Sequence, residues 1–264
     1  MSVMSVYVDA VARPARALAR DTGIVMAREL RPVLADPFSV LFGMVQPLVF
    51  LGLFGPLLAG SLGGSEDVWP WFVPSIVVMT ALFSTSTTGS NLLYELQTGA
   101  HERMLVAPVR RSALLIGRSL KEMVPLVGQA LVIVLVMLPF GFRFDPLGGL
   151  LALALLAVFG VGLGSLSYAL ALAVRKQDWM FWLVQQTLLY PAMILSGMLL
   201  PLSAGPGWMQ ALARANPLAY VVDAERALFS GDYSASVGWG WLAAALTAVV
   251  GLAVGIRSMV RSAD

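Results

Sequence analysis

The chain has 264 residues, 58% of them hydrophobic and 12% charged, with a net charge of +2 and a mean hydropathy of +0.82. A soluble domain carries about twice that share of charge, so this is the composition of an integral membrane protein and not of a nucleic-acid binder. The absence of cysteine excludes disulfides, thiolate metal sites and a cysteine nucleophile, and two lysines against fifteen arginines suit a GC-rich bacterial genome.

Residues 1–36 spread their arginines through the segment and offer neither the apolar core nor the small-residue cleavage site of a signal peptide. On a helical wheel Arg13, Arg16, Arg20 and Arg31 gather on one side, with Val11, Leu18, Val25 and Val33 opposite. That pattern predicts an amphipathic helix on a membrane surface. Glu29 falls on its apolar face and Gly23 interrupts it, so the helix is either broken or packed on protein. Asp36-Pro37 marks the turn into a first span, residues 38–59, which Gln46-Pro47 is expected to kink by freeing a backbone carbonyl. Residues 60–70 read as a short polar loop. The second span, residues 71–93, turns polar toward its end with Ser84, Thr85, Ser86, Thr87, Thr88, Ser90 and Asn91. Small hydroxyls of this kind serve close helix packing or line a transport path.

The chain is organised around residues 94–121, a charged run closed at both ends by apolar stretches long enough to cross a bilayer. Arg103, Arg110, Arg111, Arg118 and Lys121 place it on the cytoplasmic side. Thr98 is positioned to cap a short helix with Glu102 in its first turn, Pro108 to stop that helix, and Ser112 to cap the next. Such a helix suits docking of a partner protein; a solvated loop facing lipid headgroups has the same signals. His101, the only histidine, lies within it.

Spans three to six follow at residues 123–140, 147–174, 179–200 and 237–256. Gly160-xxx-Gly164 and Gly251-xxx-Gly255 are helix-contact patterns. Six spans put both termini on one side, with Arg13, Arg16, Arg20, Arg28, Arg31, the five basic residues of the central run, Arg175, Lys176, Arg257 and Arg261. These are fourteen of the seventeen lysines and arginines, an asymmetry that assigns both termini to the cytoplasm. Between spans five and six, residues 200–233 are too structured for a plain external loop. Two short amphipathic helices, residues 208–215 and 220–229, are separated by Asn216-Pro217 and anchored by Trp208, Tyr220 and Phe229. Asp223 and Arg226, three apart, form at least a surface ion pair, which alone is worth little.

No phosphate-binding GxxxxGK[ST] or GxGxxG motif occurs, and one histidine cannot build a histidine-rich metal site. No charged residue falls near the middle of a span, which counts against an ion-coupled carrier and against an intramembrane enzyme. The chain therefore reads as a non-enzymatic protein that moves or organises something with energy from elsewhere.

The central run resembles the coupling region of type-2 ABC exporter permeases of the daunorubicin-resistance kind through Gly99, Glu102, Arg103, Pro108, Val109, Arg111, Leu114, Leu115, Gly117 and Arg118. It departs from that pattern at Ala100-His101, where many members of the family have Thr-Leu. The outer segment matches through Ser196-Gly197, Pro201, Pro206, Trp208, Asn216-Pro217, Asp223 and Arg226. The resemblance implies an all-α, polytopic fold: an N-terminal interfacial helix over residues 1–36, then a six-span transmembrane domain over 37–264 with a cytoplasmic coupling helix and outer re-entrant helices. It implies a multi-pass protein of the bacterial cytoplasmic membrane acting as a homodimer with two copies of a separate ATPase, which would hold the ATP and Mg. Gly99, Glu102, Arg103, Pro108, Arg111 and Arg118 would couple to that ATPase. Gln46, Asn91, Gln185 and Gln186 would line a path between spans one, two and five of the two permeases. Pro206, Trp208, Asn216, Pro217, Asp223 and Arg226 would form an outer gate. The cargo would be a hydrophobic or amphipathic compound, as in antibiotic efflux. A lipid-linked polysaccharide exporter and a non-transporting membrane scaffold are the alternatives.

Overall fold

A computed structural model describes residues 15–61, 65–98, 110–175 and 177–261. Every regular element among them is helical. Five stretches are long and apolar enough to cross a membrane: Val40–Gly60, Val68–Gln97, Arg111–Phe140, Pro146–Ala173 and Ala235–Arg261. The fifth span expected at residues 179–200 is instead a helix of 17 residues, Asp178–Ile194, followed by turns. At 1.5 Å per residue it reaches roughly 26 Å, just short of a hydrocarbon core.

Helix α1 (Ala15–Ala35) runs unbroken through Gly23, correcting one of the two expectations for it. It packs on protein: Asp21, Val25 and Glu29, spaced by four, turn inward while Arg20, Arg28 and Arg31 stay exposed. The first span is split into α2 (Pro37–Phe42) and α3 (Val45–Ser61). The break falls at Gly43-Met44 because Pro47 has no N–H for the Gly43 carbonyl. Met44 N donates to Leu41 O, which leaves Val40 O without its helical partner, and Gln129 Nε2 donates to that carbonyl at 2.7 Å. Helix α4 (Ser65–Gln97) starts well before Trp71, so most of the polar loop expected at 60–70 is helical. Trp69 lies over Gly55, where a Cβ would meet its ring at 2.6 Å.

Helix α5 (Arg111–Lys121) leads at Glu122 into α6 (Met123–Met137), making one apolar run of the two. Arg110 occupies the N-cap of α5 and makes no side-chain capping bond to the helix, and Ser112 sits inside the first turn; the expected Ser112 cap is not formed. Helix α7 (Pro146–Ala173) begins at Asp145, whose carboxylate accepts from Gly148 N, and α8 is the short helix Asp178–Ile194. Helices α9 (Gly207–Ala213) and α10 (Pro217–Ser230) precede the last helix, α11 (Ala235–Arg261).

The core is built where α7 meets α11 and where α10 lies across α4, α7 and α11. Glycines permit the closest contacts. A Cβ on Gly251 would stand 2.3 Å from Gly162 O, and one on Gly148 would overlap Leu228 O. Gly160 and Gly164 face Leu126 and Glu122 across the α6 junction, so that glycine pair serves a contact with span three. Between apolar helices in lipid, such packing supplies much of the cohesion that water exclusion supplies elsewhere.

Candidate functional site

Two polar constructions stand at opposite ends of the bundle. The first is centred on Arg118. Helix α5 is strongly amphipathic, and α1 crosses it at Gly117, where a Cβ would press on Thr22 O and Val25 at 2.8 Å. That crossing brings Glu29, one turn beyond Val25, beside the next residue, Arg118. Arg118 is 1% exposed. Its guanidinium donates to the Glu95 carboxylate, near the end of α4, and lies 3.7 Å from Glu29 Oε1. A cation this deep is tolerable only when paired, and carboxylates from two other elements supply the pairing. Beside it, Ser119 Oγ meets Ser165 Oγ of α7 at 2.8 Å, Tyr168 donates its hydroxyl to Glu122 Oε1 at 3.2 Å, and Lys121 Nζ stands 3.2 Å from the same oxygen. One polar layer thus joins α1, α4, α5 and α7.

Residues 99–109 connect the two helices that the Glu95–Arg118 pair ties together. Gly99, Glu102, Arg103 and Pro108 lie outside the described residues, as does His101. Thr98 closes the preceding helix: its hydroxyl donates to Tyr94 O at 3.0 Å. Arg111 is half-buried at the start of α5. Of the expected coupling residues, then, the structure places Arg111 and Arg118 on one helix and adds Glu29, Glu95, Glu122 and Tyr168. Glu29 had a signal in the sequence, an acid on an apolar face. Glu95 had none, because nothing local distinguishes it from a surface acid.

The four path candidates are not drawn together. Gln46 is exposed on the first turn of α3, Asn91 is exposed on α4, and Gln185 and Gln186 are half-buried on α8. Among the described residues no hydrogen bond joins any two of them, and Gln185 Oε1 is buried without one. On α4 the hydroxyls of Thr85 and Ser86 bond the carbonyls of Ala81 and Leu82 at 2.7 Å, so they are satisfied within their own helix. Thr87 and Asn91 share the outward face.

At the other end, α10 is seated by its own cap. Asn216 accepts from Leu218 N at 3.1 Å, Pro217 occupies the first position, and Asn216 Nδ2 donates to Ala192 O near the end of α8 at 2.7 Å. Leu218 and Val222 are buried. Arg226 turns into the bundle. Its Nε donates to Trp71 O at 3.0 Å, its Nη2 to Ser75 Oγ and Gly197 O at 2.8 Å each, and its Cζ lies 4.2 Å from the Trp71 ring centre. Asp223 is only a loose partner at 3.5 Å, so the pair read from the sequence is the least of Arg226's contacts. Burial pulls the guanidinium down to about 10, which leaves it charged at neutral pH. Pro206 caps α9 and Trp208 is exposed on it.

Glu225, beside Arg226, was not anticipated. It is fully buried, neither carboxylate oxygen has a hydrogen bond among the described residues, and burial pushes its carboxyl well above the usual range. The seated helix therefore favours its neutral form. Among the described residues no group of three acids or histidines could hold a metal ion.

Comparison with known proteins gives a consistent result. The family model described as ABC-2 type transporter matches residues 20–230. A daunorubicin resistance ABC transporter permease protein of Streptomyces coeruleorubidus is 28% identical over 223 residues, covering 83% of this chain and 78% of its own length. A probable doxorubicin resistance ABC transporter permease protein of Mycobacterium tuberculosis is 26% identical over 203 residues, 74% of this chain and 72% of that one. A probable multidrug ABC transporter permease of Escherichia coli is 25% identical over 193 residues, 70% of this chain and 51% of the relative.

Proposed function

The chain belongs to the ABC-2 type transporter family, and on that premise we propose that it is the permease subunit of an ATP-driven exporter of hydrophobic or amphipathic compounds. The names of the drug-resistance relatives support the cargo class. The observation that carries the coupling part is the Glu95–Arg118 pair. It clamps the two feet of segment 99–109, so force applied to that segment enters α1, α4, α5 and α7 together. Two copies of the chain and two of a separate ATPase, with ATP and Mg held by the latter, form the working unit. Glu102 and Arg103 engage the ATPase on segment 99–109, which faces the cytoplasm with both termini.

Six crossings are proposed, α8 being the short one. Its end and the turns to Pro201 bring α9 and α10 back over the bundle as an external cover. Arg226, with Asn216 as hinge, keeps the cover seated, and Gln46, Asn91, Gln185 and Gln186 line the path between copies.

The test is transport in inverted membrane vesicles holding the chain and the P-loop ATPase encoded beside it. ATP-dependent daunorubicin uptake is expected, and reversing both charges at Glu102 and Arg103 should abolish it while ATP hydrolysis continues. Full uptake by that double variant would sink the coupling assignment. Absence of ATP-dependent uptake of any amphipathic dye, with both subunits present, would remove the exporter reading and favour a scaffold.

A further inference from the structure

Helix α8 makes its main contacts with α4 and α7 alone. It is held there chiefly by Phe181, fully buried against Leu92, Leu172 and Met259. Beyond that cluster, which includes Met259 of α11, α8 has few contacts with α11, and the ends of α7 and α11 and the first turn of α8 do not close on each other. They leave a cavity of about 660 Å³ lined by Leu172, Val174, Arg175, Met180, Ser258 and Arg261, with Ala173 and Gln177. Its chemistry is divided. Leu172 belongs to the small apolar cluster around Phe181 and, with Met180, gives the cavity an apolar wall. Arg175 and Arg261, from two different elements, and the Ser258 hydroxyl give it donors and positive charge. No acid lines it. The nearest in sequence, Asp178, accepts a hydrogen bond from Gln97 of α4. Trp179 and Trp182, both exposed on the same turns of α8, are residues suited to the level of the lipid headgroups.

A cavity between span ends with two guanidinium groups, a hydroxyl and an apolar wall suits an anion that carries a hydrocarbon tail. We propose that it binds the phosphate headgroup of an anionic phospholipid, Arg175 and Arg261 holding the phosphate oxygens and the acyl chains running down past Met180. Such a lipid fills the gap left by α8 and ties that helix to α7 and α11. The proposal requires that the chain sit in a bilayer, and it is independent of what the chain transports.

The test is native mass spectrometry of the full chain in detergent, titrated with dioleoylphosphatidylglycerol or dioleoylphosphatidylcholine. Wild type should retain the anionic lipid over the zwitterionic one by roughly tenfold or more. The double variant Arg175→Gln/Arg261→Gln should lose that preference. Arg143→Gln, at the opposite end of the bundle, should keep it. Ser258→Glu, which places a carboxylate in the cavity and leaves both arginines, should lose it too, and circular dichroism verifies that each variant is folded. Equal retention of both lipids by wild type, or an unchanged preference in the double variant and in Ser258→Glu, would overturn the proposal. Displacement of the lipid by millimolar inorganic phosphate would assign the cavity to free phosphate instead. Unchanged lipid retention with loss of ATPase co-purification would show it to be a protein contact.

Discussion

Arg118 and Arg226 are both buried, and the protein neutralises them in opposite ways. Arg118 is met by carboxylates from α1 and α4, so the contact is ionic and brings together residues far apart in the chain. Arg226 is met by two backbone carbonyls, a serine hydroxyl and the face of Trp71, and its acid, Asp223, is a distant exposed partner. The ionic arrangement depends on three side chains from separate helices keeping their places, and the movement of any one unbalances the charge. The carbonyl nest depends on backbone that is already fixed by the turns around Gly197. A joint that must pass motion on suits the first, and a cover that must return to one position suits the second.

The largest expected effect separates the two. Arg118→Ala leaves Glu29 and Glu95 facing each other with no cation and should cost about 3–5 kcal/mol, read as loss of folded protein in thermal denaturation in detergent. Arg118→Met with Glu29→Gln and Glu95→Gln should recover most of it. Failure of the triple variant to recover would mean that Arg118 matters for shape and not for charge.

Arg226→Ala should cost less, about 2–3 kcal/mol, because the stranded carbonyls of Trp71 and Gly197 keep other ways to be satisfied. Its effect should be local. In this cysteine-free chain a thiol at Val222 should react much faster with a water-soluble maleimide once Arg226 is gone, with melting of the remainder little changed. Unaltered labelling would show that Arg226 does not hold α10.

Glu225 sharpens the contrast, since it is a buried acid with no hydrogen-bond partner among the described residues. Its carboxyl is raised when α10 is seated and has its ordinary value of 4.5 when exposed. Seating is therefore fully supported below about pH 4.5 and is lost progressively as pH rises toward the raised value. Labelling at Val222→Cys, divided by that of an exposed reference thiol to remove the thiolate's own pH dependence, should increase with pH when Glu225 is present and become flat in Glu225→Gln. Glu225→Leu should stabilise the seated helix by about 1–3 kcal/mol, since it removes a buried group without hydrogen bonds. A slope unchanged in the glutamine variant would assign the pH response to another group.

The smallest effect is expected at Asn216→Ala. It loses the α10 cap and the bond to Ala192 O, about 1 kcal/mol, and should show as a modest rise in labelling at Leu218→Cys.

Much of this was legible in the sequence where the signal is local. The apolar runs located the long helices, Pro47 announced the break in the first span, and Asn216-Pro217 separated α9 from α10, although α10 begins at Pro217 and not at residue 220. Boundaries failed where polar residues are helical, as at Glu66 and Asp67 in α4, or where apolar residues are not, as at Leu199 and Leu200 after α8. The site was legible only in half. Arg118 could be singled out, but its partners are Glu29 and Glu95, and no periodicity connects residues on three separate helices. Glu225 looked like one more acid beside Asp223, and only the seating of α10 against three other helices turns it inward.

The contact of Gly162 with Gly251 has a mechanical consequence. There α7 and α11 touch backbone to backbone, with Gly162 O where a Cβ on Gly251 would go and the Ala248 amide 2.7 Å from where one on Gly162 would go. No side chain stands between them to change rotamer, so neither sliding nor rolling has a nearby alternative fit. The two helices form a chassis, and in the exporter proposed above the strokes of a working cycle fall to the parts that hang from it: the split first span and α8.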